Sequence, residues 1–140
     1  MRLEQIESTE NELEAKAEEV ENSDQELQEV NDRLNNLESA IGQLSEDKEI
    51  SESVEAKKEQ VEKEKENVEQ KRESLVQELE SIQGQIEQMS EENEKSASVI
   101  SKLESSGEDV SDAQSIINER RSNINDMKSR AKQLIQKLQR

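Results

Sequence analysis

The chain has 140 residues, carries a net charge of −17, is 39% charged, and contains no aromatic residue, proline, cysteine or histidine. Those absences exclude disulfides, thiolate and imidazole metal ligands, and the side chain that titrates nearest neutral pH. Leucine, isoleucine and valine together supply only 29 residues, so any core is thin and the composition borders on that of disordered chains.

Periodicity separates a folded helix from disorder, because a disordered segment has no reason to keep its aliphatics in phase. Good helix formers dominate and the strongest breaker is missing. The first predicted helix covers residues 2–44. Its stripe runs Leu3, Ile6, Leu13, Ala17, Val20, Leu27, Val30, Leu34, Leu37, Ile41 and Leu44, with polar Glu10 and Asp24 filling two slots. The phase then slips across residues 45–49. Gly42 or Leu44 is placed to end the helix and Ser45 or Ser51 to cap the next; a continuous helix with a local stammer is the alternative.

The second predicted helix covers 50–104, with its stripe at Val54, Val61, Val68, Leu75, Leu79, Ile82, Ile86, Met89, Ile100 and Leu103. A second slip falls at 104–109. Gly107 can adopt the left-handed conformation that closes a helix, and Ser111 with Gln114 forms the Ser-x-x-Gln pattern of a capping box. Asp109 and Asp112 place negative charge where a helix start favours it. The third helix, 111–139, carries Val110, Ala113, Ile117, Ile124, Met127, Ala131, Leu134 and Leu138.

Facing residues of an antiparallel pair have position numbers with a constant sum. About Gly107 that sum is 213, pairing Leu103 with Val110, Ser96 with Ile117, Met89 with Ile124, Ile86 with Met127, Leu79 with Leu134 and Leu75 with Leu138. About residues 47–48 it is 95, pairing Ile41 with Val54, Leu34 with Val61, Leu27 with Val68 and Leu13 with Ile82. The expected fold is therefore all-α: three long, staggered helices in elongated antiparallel coiled-coil hairpins, forming a single domain over 1–140. Its interaction seam comprises Leu75, Leu79, Ile82, Ile86, Met89, Leu103, Val110, Ile117, Ile124, Met127, Leu134 and Leu138. Met89 and Met127 read as core filler. The 213 register also places Asn93 opposite Arg120, a polar pair suited to pinning register, with Gly107 and Ser111 making the turn.

Charge is blocked along the chain. Residues 1–47 hold 15 acidic and 3 basic side chains, 48–72 hold 8 and 7, 73–117 hold 11 and 2, and 118–140 hold 2 and 7. Folding at the two slips lays acidic 20–45 beside the lysines of 57–72, and the basic end beside acidic 73–104. A parallel dimer of the straight chain would instead stack acid on acid. The basic end, through Arg120, Arg121, Lys128, Arg130, Lys132, Lys137 and Arg140, could meet nucleic acid or an anionic membrane. The acidic remainder repels phosphate, and no aromatic platform is present for bases to stack on, so an intramolecular role for these cations is favoured.

No phosphate loop, dinucleotide glycine pattern or calcium loop is present. Glu91, Glu92 and Glu94 splay around a helix rather than converging on an ion, and Ser105 and Ser106, each three residues before an acid, read as ordinary loop polarity. No catalytic, cofactor or metal site is expected. The expected function is a non-enzymatic structural or adaptor protein working through helix–helix contacts, with a helical protein partner, self-association, or both. The runner-up is a secretion-associated helical partner or chaperone of a larger client. No 18-residue apolar run is present and residues 1–7 lack an apolar signal core, so the expected location is cytoplasmic, with signal-independent export still compatible.

Overall fold

The computed structural model describes residues 3–140, of which 92% are helical, in three helices and no strand. Helix α1 spans Leu3–Gln43, α2 spans Lys48–Ser105 and α3 spans Ser111–Leu138. The predicted start of the first helix at residue 2 lies outside the described residues. The fold is all-α, and neighbouring helices pack as antiparallel hairpins.

The first slip is a turn. The Leu44 N–H still reaches the Ala40 carbonyl at 2.9 Å, and the Asp47 N–H then reaches the Leu44 carbonyl at 3.0 Å. Asp47 caps α2: its Oδ1 accepts the Ile50 N–H at 3.3 Å, and its carbonyl accepts the Ser51 N–H at 2.9 Å. Neither Ser45 nor Ser51 takes that position. A carboxylate at the cap satisfies an orphan donor and also meets the positive end of the helix dipole, which a serine hydroxyl does only in part.

The second slip closes α2 with a Schellman motif. Gly107 has φ 91, its N–H reaches the Glu104 carbonyl at 3.0 Å, and the Glu108 N–H reaches the Leu103 carbonyl at 3.1 Å. A Cβ at Gly107 would meet nothing within 4 Å, so the cost of adding one is purely conformational. Gly107→Ala is expected to destabilise by about 1–2 kcal/mol. A midpoint of thermal unfolding equal to that of the parent would contradict this.

The predicted capping box at Ser111 and Gln114 does not form. The residue before α3 is Val110, which makes no side-chain cap bond. Ser111 is the first helical residue, and its N–H and hydroxyl both donate to Asp109 Oδ1, at 3.2 and 2.6 Å. Gln114 turns instead to Glu104 on α2. The carboxylate of Asp109 outcompetes a neutral glutamine for the donors of that turn, since hydrogen bonds to an ionised acceptor are the stronger kind.

Two compact units divide the chain. In the unit Glu18–Leu75, the α1 and α2 segments run antiparallel, with charge pairs Arg33–Glu64, Lys58–Glu38, Lys71–Glu26 and Arg72–Asp24 along the seam. Their position numbers add to 96 or 97, as flanking contacts of the 95 register should. The apolar core is small. Val30, Leu34 and Val61 form one buried cluster against partly buried Leu37 and Val68.

The polar slots of this stripe are Thr9 and Ser23, at 5% and 0% exposure, rather than Glu10 and Asp24. Glu10 is exposed and Asp24 half-buried. The hydroxyls win because each satisfies itself inside its own helix: Thr9 donates to the Gln5 carbonyl at 2.9 Å and Ser23 to the Val20 carbonyl at 2.8 Å. A carboxylate in the same slot would suffer the full cost of desolvation. Opposite Ser23 lies Arg72, 6% exposed, whose Nη1 donates to Ser23 Oγ at 3.0 Å and to Asp24 Oδ1 at 2.5 Å.

The other unit combines α1 up to Ala17 with Val76–Arg140. Lys16 of α1 pairs with Glu78 of α2. Between α2 and α3 the bonded pairs are Glu104–Gln114, Glu94–Arg121, Ser90–Lys128 and Glu87–Lys128. Their position numbers add to 215 or 218, as contacts flanking the 213 register on one side should. Ile135 is also buried, at 9% exposure, although it lies off the predicted stripe. With Ala131, Leu134 and Leu138 it widens the apolar face beyond a two-helix seam, as a helix in a three-segment unit requires.

Candidate helix-recognition surface

Ten of the twelve predicted seam residues are buried: Leu75, Leu79, Ile82, Ile86, Met89, Ile117, Ile124, Met127, Leu134 and Leu138. The other two sit at the hairpin end. Val110 is half-buried, and Leu103 is 41% exposed. Leu103 occupies the last turn of α2 beside the Schellman turn, where its facing position, Val110, precedes the first residue of α3. Ser96, predicted opposite Ile117, is exposed, and Ala97 is the half-buried residue of that turn.

Asn93 is 1% exposed, and its Nδ2 donates to the Ile117 carbonyl at 3.2 Å. Its Oδ1 is buried without a hydrogen-bond partner. Arg120, the residue predicted opposite it, is half-buried and does not donate to that oxygen. The short amide finds a backbone carbonyl one turn away, while a long guanidinium can keep its charge towards water.

The two flanks of the α2–α3 seam differ. One flank is polar, with Arg121 bonding both oxygens of Glu94 at 2.8 and 3.0 Å and Lys128 lying beside Glu87 and Ser90. The Arg121 guanidinium holds the Glu94 carboxyl below the usual carboxylate range. The Ser111 hydroxyl and N–H do the same for Asp109. For Glu94, a lowered folded value means that the stabilisation is present above the unfolded carboxylate value and is lost as pH falls through the folded value. Glu94→Gln should therefore lower the thermal midpoint near neutral pH, and its difference from the parent should shrink as pH falls through the carboxylate range. A difference that persists into acid would show that the carboxylate charge is not the cause.

The opposite flank changes character along its length. Glu78, Gln85, Glu92 and Val99 follow one another at seven-residue spacing, so they form a single line along α2. Glu78 holds Lys16 of α1, while Gln85 and Glu92 line a groove with Gln5, Ser8 and Thr9 of α1. In the 95 register Glu92 stands opposite Leu3, the first described residue of α1. One step further the line becomes apolar. Val99 is 57% exposed, Leu103 lies one turn beyond it, and Ile116 on α3, at 49% exposure, occupies the corresponding flank position across the seam. Sequence periodicity alone counted Leu103 as core and passed over Val99 and Ile116. Their seven-residue spacing to Glu92 and to Asn123 was the signal available.

No family model, curated protein or solved structure matches the chain. Its surface therefore has to be read from its own residues. The groove between α1 and α2 is open and lined by Glu, Gln, Ser, Thr and one Met, and a second groove, within Glu18–Leu75, is lined by Glu38, Ile41, Gly42, Glu55, Lys58, Glu59 and Glu62. Among the described residues no three carboxylates gather to hold a metal ion, and no helix is long and apolar enough to cross a membrane.

Proposed function

We propose that this protein is a non-enzymatic structural or adaptor protein that works by helix–helix recognition, and that Val99, Leu103 and Ile116 receive an amphipathic helix of a protein partner. The observation that carries this reading is the line Glu78–Gln85–Glu92–Val99. Up to Glu92 it serves a helix, α1, and at Val99 it continues with exposed aliphatic side chains. A surface that already packs one antiparallel helix has the spacing to accept another in line with it. The pairing of Arg121 and Lys128 with carboxylates of α2 supports an intramolecular role for the basic end over a nucleic-acid role.

The test is affinity capture from native extract with the parent chain and with Val99→Asp/Ile116→Asp, after circular dichroism shows equal helicity. A helical client held by the parent and lost by the variant is the expected result. Identical capture by both would overturn the assigned surface. The small core of Glu18–Leu75 favours a second reading, a helical partner or chaperone of a secreted client that is ordered fully only in complex. That reading requires a client-dependent rise in helicity, which a pre-folded adaptor would not show.

A further inference from the structure

We infer that the hairpin Glu18–Leu75 opens at residues 44–47 and exchanges α1 with a second copy of this chain, forming an antiparallel twofold dimer. The inference deepens the helix-recognition reading, and rests on it, by naming one partner as the chain itself. The first observation is the turn. Among the described residues only Gly107 has positive φ, so residues 44–47 turn without any left-handed residue. Leu44 already makes the helical bond to Ala40, and Asp47 Oδ1 holds Ile50 where a continuing helix would bond it to the carbonyl of Glu46. No proline or glycine lies in Leu44-Ser45-Glu46-Asp47-Lys48, and all of these side chains tolerate a helix.

The second observation is phase. Val30, Leu37, Leu44, Ser51, Lys58 and Lys65 follow one another at unbroken seven-residue spacing, so one of the two rows of seam positions passes through the turn without a shift. A helix made continuous through 44–47 therefore keeps that row on one face. The third observation is the register. Contacts between positions that add to about 95 are those a twofold antiparallel pair of continuous helices makes between chains, each residue meeting the same partner in the other copy. Arg72 would meet Ser23 and Asp24, Arg33 would meet Glu64, and Lys58 would meet Glu38, all in trans. At the axis Asp47 of each copy would face Lys48 of the other, a favourable charge pair that the monomer's turn does not use. The exchange thus keeps the packing of the hairpin and converts the turn into helix, the general condition for domain swapping.

The experiment uses the full chain, which has no native cysteine. Leu34→Cys/Val61→Cys, a facing pair of the 95 register, is oxidised in a mixture of tagged and untagged copies, while sedimentation follows mass across a range of concentrations. Cross-links between tagged and untagged copies, together with a concentration-dependent dimer, are expected. Glu46→Pro, which bars a continuous helix, should raise the dimer dissociation constant by about a hundredfold or more. Ser45→Gly/Glu46→Gly should weaken the dimer in the same direction with less risk to folding. A monomer at every concentration, cross-links only within one chain, or a dimer unaffected by either turn variant would overturn the inference. None of these outcomes touches Val99 or Ile116, so the client-capture result stands or falls separately.

Discussion

Asp24→Ala should lower the unfolding free energy by about 1–3 kcal/mol, whereas Arg72→Leu should leave it unchanged or raise it. The asymmetry follows from where each charge sits. The Arg72 side chain is 7% exposed and that of Asp24 is 40% exposed. Removing the aspartate takes one carboxylate away from a guanidinium that stays out of water, and the Ser23 hydroxyl at 3.0 Å does not restore that charge pair. Removing the arginine leaves no such debt. Ser23 keeps its bond to the Val20 carbonyl, Asp24 keeps its water, and a leucine fills the layer with apolar volume. Denaturant midpoints of the two variants decide the matter. Equal losses in both would mean that the pair stabilises the hairpin outright, rather than serving to select which residues face one another. In the second case Arg72→Leu should also tolerate slipped pairings, because one aliphatic layer resembles the next.

The second large effect belongs to the packed layers of α2 and α3. Leu79 is 0% exposed and Leu134 is 1% exposed, and they face one another in the 213 register. Each change to alanine should cost about 2–5 kcal/mol, from lost burial and the cavity left behind. The double variant should cost less than the sum, since the second truncation enlarges a cavity already made. A double-mutant cycle that closes additively would argue that the two side chains do not share a layer.

The helices and their antiparallel registers were legible because heptad phase is a long-range signal. Many aliphatics had to agree for Leu34 to meet Val61 or for Ile86 to meet Met127, and no single residue decides it. What escaped was local. Thr9 beside Glu10, and Ser23 beside Asp24, are adjacent polar residues, and apolar spacing cannot say which of two neighbours enters the core. The answer depends on a hydroxyl bonding its own preceding turn, which is a matter of geometry. Ser45 and Ser51 were the caps expected for α2, and Asp47 takes the place because its charge meets the helix dipole. Arg72 was hidden for a different reason: it stands seven residues from Lys65 and from Leu79, in a core row, yet hydropathy counts it as surface. Leu103 was misplaced because phase carries no information about where the facing helix begins. Function was least legible, since the exposed aliphatics Val99 and Ile116, on which the proposed recognition surface rests, are out of phase with the core.

α2 is a single uninterrupted helix of 58 residues, and its two halves belong to units of different core quality. Before Leu75 its first half contributes one buried aliphatic, Val61, packed with Val30 and Leu34 of α1, while its second half contributes Leu79, Ile82, Ile86 and Met89, each 6% exposed or less. Backbone hydrogen bonding is the same throughout, so the difference should surface in how often those bonds break. Amide protons near Val61 should exchange with solvent through frequent local opening, and those near Ile86 only through rarer, larger unfolding. Deuterium uptake followed by mass spectrometry should therefore show a gradient along one helix, fast at the Lys48 end and slow past Leu79. The part of the chain that can be remodelled on contact with a partner would then be set by tertiary burial alone, with no break in the helix to mark it.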